Sequence, residues 1–288
     1  MRICLACDAR FPGPGWACPA CGETPTANGY VSFRPSVAAD DAVFTQETFE
    51  RLAEYEATSF WFRARNDLIA WAVRRYFPDA RSFLEVGCGT GYVLAGLHQR
   101  SPGLRLAGGE PFAAGLEIAR RRLPDVDLFQ LDGRRLPWED EFDVVGAFDM
   151  LEHVEEDQQV LAELIRVVKP GGGALISVPQ HPQLWASVDE FSGHKRRYTA
   201  DELVGKLEAA GFGIVRKTSF VSLLLPLVML SRLRRRDNGN AYDPRTEYRL
   251  PQSIDAFFER VMGLERFLIR RGVYLPAGTS LLVVARRP

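Results

Sequence analysis

Strands alternating with helices over most of the chain predict an α/β protein, built on a parallel sheet with helices on both faces. Two observations carry that expectation. Short apolar runs recur between helical stretches from residue 82 to residue 219, and a glycine-rich turn follows the first of them directly. A third observation sets a small unit apart: four of the five cysteines fall in the first 21 residues.

The composition is that of a globular protein, 46% hydrophobic and 25% charged over 288 residues. A formal net charge of −1 gives no whole-chain attraction for nucleic acid or an anionic membrane. No apolar run approaches the roughly 20 residues that span a bilayer. Met1-Arg2-Ile3-Cys4 enters a cysteine motif without the apolar stretch of a secretory signal, so the expected location is cytoplasmic. No internal repeat is present.

Residues 1–30 read as a turn-rich knuckle around Cys4, Cys7, Cys18 and Cys21. Residues 31–77 read as a linker, broken by Pro35, followed by two helices. Phe49, Leu52 and Tyr55 mark the first helix; Phe62, Leu68, Ile69, Ala72, Val73 and Phe77 mark the second, and Pro78 ends it. The core, 78–219, has strands expected at 82–86, 104–108, 126–130, 142–148, 173–178 and 213–219. Helices are expected between them at 92–99, 111–122, 157–168 and 201–210. A last strand is expected at 280–285, within a final segment 280–288. Between the last two strands lies 220–279, far longer than a hairpin needs. It holds the apolar run 220–230 with Pro226, then Arg232, Arg234, Arg235 and Arg236, and later an apolar stretch at 257–268. Two readings stand for this segment. It is a helical lid buried over a site, or an interfacial helix (220–236) whose arginines meet anionic headgroups at the inner membrane face.

The strand Phe83-Leu84-Glu85-Val86 runs into Gly87-Cys88-Gly89-Thr90-Gly91 and then a helix. This arrangement brings a backbone close to a ligand, and its GxGxG spacing differs from the GxGxxG of dinucleotide-binding folds. Acids follow the next three strands: Glu110 before Pro111, Asp132 before Gly133, and Asp149 just ahead of Glu152 and His153. Groups at the carboxyl ends of strands in an open parallel sheet line one crevice. There a carboxylate can accept from both ribose hydroxyls or from an adenine amine.

Glu85-Val86-Gly87-Cys88-Gly89-Thr90-Gly91 resembles motif I of class I S-adenosylmethionine-dependent methyltransferases. Val168-Lys169-Pro170-Gly171-Gly172-Gly173 resembles their turn before the fifth strand. The resemblance covers about residues 55–288 and implies a Rossmann-like, seven-stranded sheet. It implies that Glu85 and the 87–91 loop hold the methionine end of S-adenosylmethionine, Glu110 the ribose and Asp132 the adenine, with Asp149 near the sulfonium. Cys88 reads as a small filler of the loop. His153 and His194 are the histidines considered as general bases, His153 with the alternative of a packed histidine at a helix start, and Tyr198 joins them as a candidate catalytic residue.

The segment 180–199 leaves the fifth strand at the crevice and carries Gln180, His181, Trp185, Asp189, Glu190, His194, Arg197 and Tyr198. Trp185, His194, Arg197 and Tyr198 are a polar and aromatic set suited to an acceptor, while Asp189 and Arg197 equally suit a structural ion pair. This stretch is similar to a bacterial type-11-like subgroup. That similarity implies a small-molecule or lipid-linked glycan acceptor, methylated at oxygen or nitrogen.

Cys4-x-x-Cys7, ten residues, then Cys18-x-x-Cys21 suit a tetrahedral Zn²⁺ in a ribbon, with a structural or docking role. Arg2 and Arg10 against Asp8 and Glu23 make no basic stripe, so nucleic acid is not the expected partner. Two alternatives differ in class: an RNA methyltransferase gripping its substrate through the ribbon, and a non-catalytic S-adenosylmethionine-binding scaffold.

Overall fold

The computed structural model describes residues 1–27, 29–33, 43–235 and 250–288. Within it a nine-stranded sheet runs in the order β10-β11-β9-β8-β5-β6-β7-β4-β3. The seven strands of the expected core are β5 (Ser82–Val86), β6 (Arg105–Glu110), β7 (Asp127–Gln130), β8 (Phe142–Phe148), β9 (Val168–Pro179), β10 (Gly213–Phe220) and β11 (Ser280–Arg286). Their helices are α3 (Tyr92–Arg100), α4 (Ala113–Arg122), α5 (Asp157–Val167) and α7 (Ala200–Ala209). Two short strands, β3 (Thr26–Ala27) and β4 (Tyr30–Ser32), extend the sheet, β4 pairing parallel with β7.

Every residue of β5 is buried, as befits a central parallel strand covered on both faces. Period-2 alternation sorts its neighbours into two cores. Phe83, Val144, Leu175 and Leu282 face a layer made by α3, α4 and α2 (Phe60–Tyr76). Leu84, Val145, Ile176 and Val283 face α5 and α7. α2 begins at Ser59, whose hydroxyl accepts from the Trp61 amide. It follows α1 (Gln46–Thr58).

The sheet is not parallel throughout. β11 lies antiparallel between β9 and β10. β10 ends at the carboxyl edge of the sheet and β11 starts from that same edge, with Phe220 paired to Ser280, so β11 must run back. β9 starts straight off α5 at Val168 and carries the Gly171-Gly172-Gly173 run. Glycine is required at 173, where a Cβ would stand 2.2 Å from the Ala285 carbonyl oxygen.

The segment 220–279 forms α8 (Leu225–Arg235) and α9 (Gln252–Arg270), with α9 packed on α2. Pro226 falls in the first turn of α8, where its missing N–H costs no hydrogen bond. Arg236, part of the arginine cluster, and Pro35 lie outside the described residues. The turn from β10 into α8 rests on one buried carboxylate: Glu265 of α9 accepts from the amides of Val221 (2.6 Å), Ser222 (2.7 Å) and Leu223 (2.8 Å). α9 also ties to α2 through Asp255, which accepts from the Phe60 amide at 2.6 Å, and through Arg270–Asp67 at 2.7 Å.

The cysteine knuckle packs on the segment entering β8. The Ile3 amide donates to the Pro137 carbonyl (2.9 Å), Arg10 pairs with Glu139 (2.6 Å), and Trp16 meets Phe33, Phe129 and Trp138 edge-on. β1 (Arg2–Ile3) and β2 (Arg10–Phe11) form its hairpin.

Replacing Glu265 by Ala leaves three amide donors of the β10–α8 turn without their acceptor. The expected cost is about 2–3 kcal/mol in denaturant unfolding, while Glu265→Gln, which keeps one acceptor oxygen, loses less.

Candidate active site

A cavity of about 790 Å³ opens at the carboxyl ends of β5, β6 and β8. The glycine loop forms its floor. Gly87, Gly89 and Gly91 all have positive φ (75°, 51° and 74°), and a Cβ at Gly87 would stand 2.4 Å from Met150 Cγ, so that turn admits no side chain. Gly91 caps α3, turning its first amides toward the loop.

The expected acids converge here. Glu85, Gly87, Cys88, Gly89, Glu110, Pro111, Asp132, Gly133 and Asp149 all line the cavity. Glu110 accepts from the Gly89 amide (2.9 Å) and the Phe112 amide (3.2 Å), and burial pushes its carboxyl up to about 7. Glu85 is buried with Oε2 unpartnered, and burial raises it well above the usual carboxylate range. Asp132 is already engaged: Arg134 donates to it from its amide (2.9 Å) and its guanidinium (2.6 Å). Asp149, at φ 51°, pairs with Arg65 and accepts from Ser177 Oγ at 3.2 Å. Cys88 is buried in the core beside the loop, where desolvation holds its thiol protonated.

The opposite wall is where His153, His194 and Arg197 meet. The two imidazoles stand edge to face, centroids 4.8 Å apart. Asp189 Oδ1 holds His194 Nδ1 at 2.9 Å and Arg197 Nε at 2.8 Å. Asp189 and Arg197 thus form the ion pair the sequence allowed, and that pair also orients His194. Burial and the neighbouring His194 push His153 down to about 3.

Tyr198 does not belong to this wall. Its side chain is fully buried in the core under α5 and α7, and its hydroxyl donates to Asp157 Oδ2 at 2.8 Å. Burial and that acid raise the phenol. The structure therefore places Tyr198 in the packing of that core and not on the cavity wall. Gln180, His181 and Trp185 also stand outside the cavity lining. Gln180 is buried and bridges to Tyr198, with its carbonyl accepting from Arg197 at 3.2 Å. His181 sits at φ 64°, and the Trp185 indole donates to Glu190 at 3.3 Å. All three precede α6 (Ser187–Phe191), and it is from α6 that Val188, Asp189 and Phe191 reach the cavity lining.

What the sequence did not mark is the wall made by α1 and α2. Arg65, 8% exposed, reaches Asp149 and lies over the rings of Trp61 (4.6 Å) and Phe62 (5.5 Å). Glu56 accepts from Thr90 Oγ1 (2.6 Å) and Arg122 (2.9 Å), tying α1 to the loop and to α4. The trace of this wall in sequence is Tyr55-Glu56 and Trp61-x-x-x-Arg65, acid and base on aromatic helical faces. Leu227, Val228 and Phe258 of α8 and α9 add an apolar side.

Residues 84–176 match the family described as methyltransferase domain. The matched stretch runs from β5 to β9 of the core. A probable S-adenosylmethionine-dependent methyltransferase of Mycolicibacterium smegmatis is 32% identical over 177 residues, 59% of this chain and 64% of that protein. The trans-aconitate 2-methyltransferase of Azoarcus sp. is 33% identical over 148 residues, 51% of this chain and 55% of that one. The chain therefore spans less than two thirds of the length of these relatives. Among solved structures, Haemonchus contortus phosphoethanolamine N-methyltransferase 2 bound to S-adenosyl-L-methionine superposes with a TM-score of 0.58 at 17% identity. That match covers 90% of this chain and 61% of that one. A chain of the complex between the Haloferax volcanii Trm112 methyltransferase activator and the putative methyltransferase also gives 0.58, at 19% identity, covering 86% and 100%. At such identities the likeness is one of fold.

In the knuckle the four sulfurs all lie within 4.8 Å of one another. Cys4 and Cys21 stand 3.6 Å apart, Cys7 and Cys18 3.7 Å. Four thiolates at 2.3 Å from a Zn²⁺ ion are about 3.8 Å apart, so the set fits that ion. None of the described residues before Val43 lines the cavity.

Glu110 makes the domain sensitive to pH. Its folded carboxyl titrates near 7 against about 4.5 when free, so the native state holds the extra proton between those values. Stability then falls as pH rises from 4.5 to 7. The Glu110→Gln variant is expected to shrink the stability difference between pH 5 and pH 8 by about 3 kcal/mol, read by urea unfolding at both pH values.

Proposed function

We propose that this chain transfers the methyl group of S-adenosylmethionine to a small-molecule or lipid-linked acceptor, at oxygen or nitrogen. One observation carries the reading: in a methyltransferase domain, the glycine loop, Glu110, Asp132 and Asp149 converge on one cavity. Methyl transfer from a sulfonium is an in-line displacement, so the protein's work is mostly alignment. Glu110 would receive the ribose hydroxyls, and Asp132, once Arg134 swings aside, the adenine amine. Glu85 and the 87–91 loop would hold the methionine end. Arg65 pairs with Asp149 beside the expected sulfonium. The acceptor would then enter from the His153, His194 and Arg197 side. His194, fixed through Nδ1 by Asp189, is the group best oriented to take a proton from it.

A small acceptor agrees with the trans-aconitate enzyme among the relatives. The lipid-linked reading, with peripheral contact at the inner membrane face, draws support from the exposed apolar side chains Leu227, Met229 and Leu230 of α8 and Phe257, Leu264 and Phe267 of α9. No helix among the described residues is long and apolar enough to cross a membrane. A structural Zn²⁺ on the four cysteines would hold the knuckle against the domain. Its distance from the cavity gives the RNA-gripping alternative no support.

Labelled S-adenosylmethionine offered with lipid, small-molecule and RNA fractions tests the acceptor class. Label is expected in one of the first two, and label in RNA alone overturns the reading. Glu110→Ala is expected to weaken S-adenosylmethionine binding at least about tenfold by calorimetry, the value of a charge-assisted hydrogen bond. Lost binding with unchanged methylation would instead identify a scaffold. Removing zinc with a chelator is expected to release one equivalent per chain and lower the melting temperature.

A further inference from the structure

The acceptor wall holds a group of side chains whose free atoms face one another. Glu152 is fully buried, and neither of its carboxylate oxygens has a hydrogen-bond partner on another residue. His153 Nδ1 is buried and equally unpartnered. His194 Nε2 lies 3.9 Å from Glu152 Oε1, beyond hydrogen-bond reach. One donor atom from each of the three lies within 4.8 Å of the others, and all three residues line the cavity.

A buried carboxylate with no partner is costly, and a cluster made only for packing would spend these lone pairs on donors. Instead His194 is anchored through its other nitrogen, Nδ1 meeting Asp189 Oδ1 at 2.9 Å. Anchoring of this kind orients a histidine toward a metal and fixes which nitrogen is free. Asp189 is itself held by Arg197 (2.8 Å) and the Ala186 amide (2.9 Å), so His194 is aimed by a rigid support.

We propose that Glu152, His153 and His194 bind one divalent first-row cation, such as Mn²⁺, Fe²⁺, Co²⁺ or Zn²⁺, on the cavity wall. Two imidazoles and a carboxylate on one side leave further coordination positions open. Donors at about 2.1 Å from an ion can be no more than about 4.2 Å apart, so a closure of roughly half an ångström completes the site. The role follows only if the methyl-transfer reading holds, and with His194 on the ion it replaces proton removal by that histidine: an acceptor oxygen filling an open position would be fixed near the methyl group, with its proton more easily lost to solvent.

Binding is measured on protein holding a single equivalent of zinc, retained by the cysteine knuckle, and without S-adenosylmethionine, so that failure leaves the methyl-transfer reading untouched. Titration with Mn²⁺, followed by loss of the free-ion EPR signal, is expected to show one further equivalent. Glu152→Gln and His194→Ala should each weaken it by at least about a hundredfold. Asp189→Asn, which disturbs only the support, should weaken it about 10- to 100-fold. Thermal melts show which variants fold, and Asp189→Asn or His153→Gln serves if Glu152→Gln does not. No further equivalent, or one bound equally by the folded variants, overturns the site.

Discussion

One guanidinium holds the acid-rich floor of the cavity together. Arg65 pairs with Asp149 and acts electrostatically on Glu56, Glu85 and Glu152, all of them buried. Charges out of water are expensive, and a cavity lined by several carboxylates tolerates them only with a cation among them. Arg65 is delivered by α2, and it is kept in place by Trp61 and Phe62, one turn or less away on the same helix. The packing of α2, in turn, depends on α9 and on the Phe60–Asp255 contact. A helix that belongs to neither the glycine loop nor the strand ends therefore supplies the cation beside the acids of both.

The sheet was legible because its strands are short, mostly apolar runs set between helical periods, and each of β5, β8 and β11 reads that way. The glycine loop and the acids after it were legible for a different reason: topology forces strand ends to one edge. The direction of β11 was not legible, since an apolar strand carries no mark of its polarity. It follows from where the preceding segment leaves the chain.

Side-chain destinations were harder. Arg197 and Tyr198 are adjacent in sequence, yet one lines the cavity and the other lies in the opposite core, because successive residues of an extended segment point to opposite sides. The α1–α2 wall was visible as helices, but helical spacing records which face is buried and not what it is buried against. The knuckle's four sulfurs were plain from spacing alone. Its docking on Trp138 and Glu139 required three dimensions, since those residues lie more than a hundred positions away.

The position of β11 bears on how the protein assembles during synthesis. β11 lies between β9 and β10 yet follows every other strand in the sequence. A growing chain can pair β5 through β9, but β10 has no neighbour until Ser280–Arg286 leaves the ribosome. Until then the β9 edge, an apolar strand with open amides and carbonyls, is exposed to any strand that arrives first. The order of the sheet therefore creates a vulnerable interval about as long as the synthesis of the 220–279 segment.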